Sequence, residues 1–166
     1  MKKCTIVFTI CSLLFNVITF AQMTNEKMEQ IIEKEVDNLK GETGNWTMEY
    51  GNTPVIIITD EKANRMRVFA PVIAQKDMKL GAMEKLLEAN FHSALDAKYC
   101  LYDGVVISIF THPLKELTEE QFIDAMRQVV ILTTTYGTTY SSTDMIFGGG
   151  FEKKEKPKVK EGTTKT

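Results

Sequence analysis

Cysteine, histidine and unbroken apolar stretches are all scarce in this sequence, and each shortage removes a class of function. The 166 residues hold three cysteines and two histidines. Cys4 and Cys11 lie in a leader-like segment, so a processed chain keeps only Cys100 and cannot form an internal disulfide. His92, Cys100 and His112 lie too far apart in sequence to match the usual zinc-ligand spacings, so neither a metal site nor a cofactor is expected. The one glycine run, Gly148 to Gly150, opens no helix and is therefore no phosphate loop. A basic excess is missing too: residues 22–151 carry 12 basic and 19 acidic side chains, a net −7, which argues against a nucleic-acid partner.

The single long apolar run, Ile6 to Phe20, is broken by Thr9, Ser12, Asn16 and Thr19, whereas spanning a bilayer takes about 20 largely apolar residues. Lys2 and Lys3 precede it, and it closes on "TFAQ" with small residues at Thr19 and Ala21. This is the pattern of a signal peptide cleaved after Ala21, and neither leader cysteine sits in a lipidation motif. The expectation is a bacterial protein exported to the periplasm or secreted, with no stable membrane insertion after cleavage. Residues 22–147 then form one domain. Residues 148–166 form a Gly hinge and a Lys/Glu-rich tail with six lysines against three glutamates, too poor in apolar side chains to offset chain entropy and so expected to be disordered.

Within the domain, Thr24 or Asn25 can cap a helix carrying Met28, Ile31, Ile32, Val36 and Leu39, running to about Lys40 with Gly41 as its stop. "NWTMEY", "PVIIIT" and "RMRVFAPV" read as three strands of a meander, with Pro71 suggesting an edge or a strand end. A second helix is expected from Asp77 to about Ser93, burying Leu80, Met83, Leu87, Asn90 and Phe91, with Leu86 widening the stripe. "AKYCLY" and "VVISIF", joined by Asp103-Gly104, form a hairpin with a type I′ turn. "LTEEQF" opens the last helix with a capping box, Thr118 with Gln121, and a staple, Leu117 with Phe122. The result is an α+β domain in the order α-β-β-β-α-β-β-α with a five-stranded antiparallel sheet.

"RMRVFAPV", "LLEANFHSALDAKYCLYDGVVISIFTHPLKELTEEQFIDAMRQV" and "TYGTTY" together resemble YbjN-type domains, relatives of the type III secretion chaperone fold. The resemblance covers about half the chain closely and residues 24–142 by element order. It implies a compact α+β domain with its helices against one five-stranded antiparallel sheet. Secretion chaperones of this fold are cytosolic dimers that hold extended client segments along apolar patches. YbjN-type proteins carry the label of sensory transduction regulators, without a settled biochemical activity. The leader distinguishes this chain from the cytosolic chaperones.

Candidate chemistry is thin. A Cys100 thiolate with His92 or His112 as base would make a nucleophilic site. However, a mid-strand cysteine beside Tyr99 and Leu101 reads as a small buried hydrophobe, and His92 suits a helix C-terminus. Glu119 and Glu120 occupy a first helical turn, where acidic charge is favourable for structural reasons. No catalytic residue is assigned. Trp46, Met48 and Tyr50 form a stripe that serves either as core or as an adaptable binding surface. Arg65 and Arg67 share a strand face with Phe69, a partner contact or a solvated sheet face. "TTTYGTTYSST" is a wall of hydroxyls that either meets a neighbour or completes the fold. The leading expectation is a non-enzymatic domain that binds a protein or peptide, with a homodimer as one form this can take. The alternative is a small-molecule pocket between sheet and helices.

Overall fold

The computed structural model describes residues 22–143; the expected leader, and the hinge and tail from 148 on, lie outside the described residues. Helix α1 spans Asn25–Glu35, capped by the Thr24 hydroxyl, which accepts from the Lys27 amide. It ends five residues before the expected Lys40, at the β-branched Val36, whose backbone is already extended. The chain then forms a short strand, β1 (Lys40–Glu42), followed by β2 (Asn45–Tyr50). Gly41 is thus not a helix stop. It takes φ +110° inside β1, where a Cβ would stand 2.2 Å from the Asn45 carbonyl oxygen, so only glycine fits.

The meander continues with β3 (Thr53–Asp60) and β4 (Arg65–Ala74), and Gly51 and Asn52 take the positive φ values of the expected turn. After helix α2 (Ala82–His92) comes the hairpin of β5 (Lys98–Tyr102) and β6 (Val105–His112), turned by Asp103 at φ 47° and Gly104 at φ 71°. Helix α3 (Glu119–Thr134) follows. Its capping box is complete, Gln121 N–H to the Thr118 hydroxyl at 3.2 Å and Thr118 N–H to Gln121 Oε1 at 3.0 Å. Leu117 and Phe122 are both buried beside it.

All strands join one antiparallel sheet in the order β1-β2-β3-β4-β6-β5. The sheet has six strands, one more than expected, because the stretch taken for the end of the first helix supplies β1. Pro71 lies in the interior strand β4 and pairs with Ile107 of β6, but it has no partner on the β3 side, so there it borders an unpaired edge. It follows the last β3–β4 pair, Ile56 with Phe69, and a register shift between Pro71 and Ile73 absorbs its missing N–H.

The helices cover one face of the sheet. Trp46, Met48, Ile57, Met66, Val68 and Phe110 rise from it to meet Met28 and Ile32 of α1 and Phe122, Met126 and Val129 of α3 in one continuous core. Burying each such side chain is worth about 1.5–3 kcal/mol. Polar groups at this interface are satisfied: Ser108 donates to the Val129 carbonyl at 2.9 Å and meets the Thr133 hydroxyl at 2.6 Å. Tyr99 donates to the Leu132 carbonyl at 2.6 Å, and burial pushes its phenol far above the ordinary range. Gln128, buried in α3, accepts from the amides of Asp96 and Ala97 and donates to Asp124, which ties the α2–β5 connection to the last helix.

Candidate binding surfaces

The helix-free face of the sheet is assembled by strand register. One cross-strand row runs Thr47, Ile56, Phe69, Ile109, Lys98; a second runs Asn45, Ile58, Arg67, Thr111; a third runs Pro71, Ile107, Cys100. On β4, β6 and β5 these rows bring Phe69, Ile107 and Ile109 together, with Ile58 and Tyr102 at the sides. They line a concavity of about 530 Å³ shared with Arg67, Lys98, Cys100 and Leu101. Tyr102 is 69% exposed, and Ile107, at the floor, is buried although no helix covers it. A row of β-branched and aromatic residues on the face opposite the helices is more than a sheet needs for folding, since only the helix side contributes core.

Among the expected site residues, Trp46 and Met48 are buried in the core and so form no open binding surface, while Tyr50 is half-buried against the same core. Period-2 alternation separated the two faces of β2, and packing of α1 on the Trp46 face decided which one is inside; Glu29 of that helix accepts from the indole N–H at 3.3 Å. Arg65 and Arg67 are exposed on the helix-free face. Arg65 donates to the Asn64 carbonyl at 2.9 Å. Arg67 has no carboxylate partner among the described residues and stands at the rim of the concavity.

Cys100 is exposed, contrary to its expected burial. Its strand face is the helix-free one, and β5 is the last strand of the sheet, so nothing packs over the thiol. No hydrogen bond joins it to either imidazole among the described residues. His112 Nδ1 lies 2.7 Å from the Pro113 carbonyl oxygen and its ring stacks on Phe110; His92 meets Phe91 edge-on. The structure therefore assembles no thiol–imidazole pair there, and no cluster of three or more His, Cys, Asp or Glu suited to a metal occurs among the described residues. No described helix is long and apolar enough to cross a membrane.

The β5 edge is occupied. Asn90, near the end of α2, accepts from the Tyr99 amide at 2.7 Å and donates to the Tyr99 carbonyl at 3.0 Å, as a neighbouring strand would. Beside it, the Lys98 ammonium donates to the carbonyls of Asn90, Ala94 and Leu95, closing the C-terminal end of α2. Burial lowers its pKa from the ordinary lysine value, with Asp96 opposing. At the other edge, β1 is only three residues long and carries Lys40 and Glu42. β1 is thus protected by its shortness and charge, and β5 is blocked at Tyr99, the residue that Asn90 engages.

A second apolar surface lies on α2. This helix packs through Leu86 and through Ala82 and Ala89, whose small size lets it lie close, and leaves Met83, Leu87 and Phe91 outside, with Leu80 exposed just before its first turn. Leu87 is 65% and Phe91 76% exposed. The expected stripe of Leu80, Met83, Leu87 and Phe91 is real as a stripe but faces away from the core. The sequence signal was the width of the apolar arc: with Ala82, Leu86 and Ala89 added, it exceeds what one contact can cover. The hydroxyl-rich segment after α3 completes the fold by bonding internally, with Thr135 donating to the Ser141 carbonyl and Ser93 to that of Tyr140.

The middle of the space between sheet and helices, where a small-molecule pocket was the alternative expectation, is filled by the core side chains above, while at its margins one concavity of about 410 Å³ lies between Phe110 and His112 of β6 and Gln121 and Asp124 of α3, and another of about 300 Å³ between Ile73 of β4 and Ala82 of α2. No family model matches the chain. No curated protein matches it either. Among solved structures it is similar to a chain in the structure of the HopA1–SchA chaperone–effector complex, at 16% identity and a TM-score of 0.47, with 68% of this chain and 94% of that chain covered.

Proposed function

We propose that this chain is an exported, non-catalytic domain of the YbjN and secretion-chaperone-like type that binds a protein or peptide on the helix-free face of its sheet. The observation that carries the reading is the apolar concavity over Phe69, Ile107 and Ile109, left open where the opposite face is fully packed. An extended apolar segment with a carboxylate toward Arg67 matches its chemistry. Because Asn90 occupies the β5 edge, the partner lies across the face and is held by side-chain burial, not by added strand hydrogen bonds.

The test uses fluorescent unstructured peptides rich in aliphatic residues, titrated against the chain by anisotropy. Binding is expected to weaken at least about tenfold when Cys100 carries a bulky maleimide or when Ile109→Lys puts a charge at the floor. Equal affinity for modified and unmodified protein refutes the assignment. The concavity also lies in the roughly 300–1,000 Å³ range of small-ligand sites. A small ligand retained in native mass spectrometry and displaced by the same adduct would replace the peptide reading.

A further inference from the structure

Where the chain enters α2 it passes the segment that leaves α3, and the two enclose the concavity of about 300 Å³ beside Ile73 and Ala82. Its second wall is aromatic, made by Tyr136 and Tyr140. Local structure fixes that wall. Tyr140 holds φ 52°, a left-handed backbone that bulky side chains seldom adopt. Its N–H donates to the Thr135 carbonyl at 3.1 Å and its carbonyl accepts from the Ser93 hydroxyl at 2.6 Å, so bonds on both sides hold the strain. The two rings meet edge to face at 5.8 Å, and each meets the buried Tyr99 ring in the same way, at 6.5 and 6.3 Å. Both are half-buried, packed against the core on one side and lining the concavity on the other.

The polar groups around this space are mostly donors without acceptors. Neither phenol hydroxyl, on Tyr136 or Tyr140, has a hydrogen-bond partner among the described residues. Burial, with Tyr140 adding to it, raises the Tyr136 phenol above its ordinary value, so it stays a neutral donor. Lys79 and Lys85 line the concavity and are exposed, and neither forms an ion pair among the described residues. Asp77 is the one carboxylate in the lining, which leaves it a net +1. Glu84 and Glu88 follow on α2 and Lys76 precedes Asp77, all outside the lining, so the wider field is close to neutral. Selection therefore rests on donors that touch the ligand, and it suits a single carboxylate better than a polyanion.

We propose that this concavity binds a small aromatic carboxylate, with its ring against Tyr136, Tyr140 and Ile73 and its carboxylate accepting from Lys79, Lys85 and a phenol hydroxyl. The volume stands at the lower end of small-ligand sites, which admits a single ring. The sheet-face concavity shares none of these residues, so the two readings stand or fall separately.

The experiment titrates phenylacetate into the whole chain and follows the backbone amides by heteronuclear NMR. Saturable shifts are expected at Lys79, Lys85, Tyr136 and Tyr140. The neutral analogue phenylacetamide is expected to bind about tenfold more weakly. Lys79→Met and Lys85→Met combined, both at exposed sites, are expected to weaken phenylacetate by about tenfold or more, with near-ultraviolet circular dichroism confirming the native fold. Equal affinity for acid and amide, an unchanged affinity in the double variant, an equal response to inorganic phosphate, or no saturable shift up to about 10 mM overturns the proposal. Shifts centred on Phe69 and Ile109 overturn it as well, and place the ligand on the sheet face instead.

Discussion

Replacing Asn90 tests whether an amide side chain substitutes for a neighbouring strand at the β5 edge. Asn90→Ala deletes both of its bonds to Tyr99, at 2.7 and 3.0 Å, and unties α2 from the strand. Two hydrogen bonds at a net 0.5–1.5 kcal/mol each give a loss of about 2 kcal/mol. For a domain of this size that corresponds to a fall in Tm of about 4–8 °C. Urea titration followed by circular dichroism should show the midpoint falling with an unchanged slope, because the same surface is exposed on unfolding. Asn90→Asp separates the two bonds. The carboxylate still accepts from the Tyr99 amide, but at neutral pH it faces the Tyr99 carbonyl without a proton to donate. Protonating the introduced carboxyl recovers the donor, so its folded-state pKa is raised. The stability difference from the parent is therefore small below about pH 4 and grows as pH rises through the carboxyl range. Asn90→Ala also frees the edge, so sedimentation should reveal concentration-dependent association. A loss under about 0.5 kcal/mol with no association would refute the strand-mimic argument.

Three further outcomes are expected. Thr118→Ala removes half of the capping box and should cost about 1 kcal/mol in chemical denaturation, with Thr118→Ser retaining most of it. Burial raises the Tyr99 phenol above its unfolded value near 10, so the stability it contributes is whole below pH 10 and lost as pH climbs past it. Tyr99→Phe should begin about 1 kcal/mol lower at pH 7, from the lost bond to Leu132, and then fall less steeply than the parent between pH 10 and 12; parallel curves would contradict this. The exposed Cys100 thiol should react stoichiometrically with an aromatic disulfide reagent in the folded state, and Cys100→Ser should alter stability by less than about 0.5 kcal/mol. Reaction only after denaturation would place the thiol inside.

Local chemistry alone determined most of the elements. Alternation in "NWTMEY" and "RMRVF", the Asp-Gly turn and the Thr118 to Gln121 cap each act within a few residues, so their outcome is written where they stand. Alternation also separates the two faces of a strand, which is why Arg65 and Arg67 could be paired with Phe69 before the fold was known. What alternation cannot say is which face a helix will cover. That choice belongs to tertiary packing, and it put Trp46 and Met48 inside and Cys100 outside. The same limit explains α2. Its apolar arc is wide enough for two contacts, and only the closeness permitted by Ala82 and Ala89 selected the Leu86 side for the core. Likewise Gly41 reads as a helix stop in isolation, and only its pairing with Trp46 turns it into the close approach that starts a sixth strand. Thus the sequence by itself determined the kinds of element and their faces, because those depend on neighbours along the chain. The tertiary structure decided which faces remain open, because burial depends on residues that are neighbours only in space.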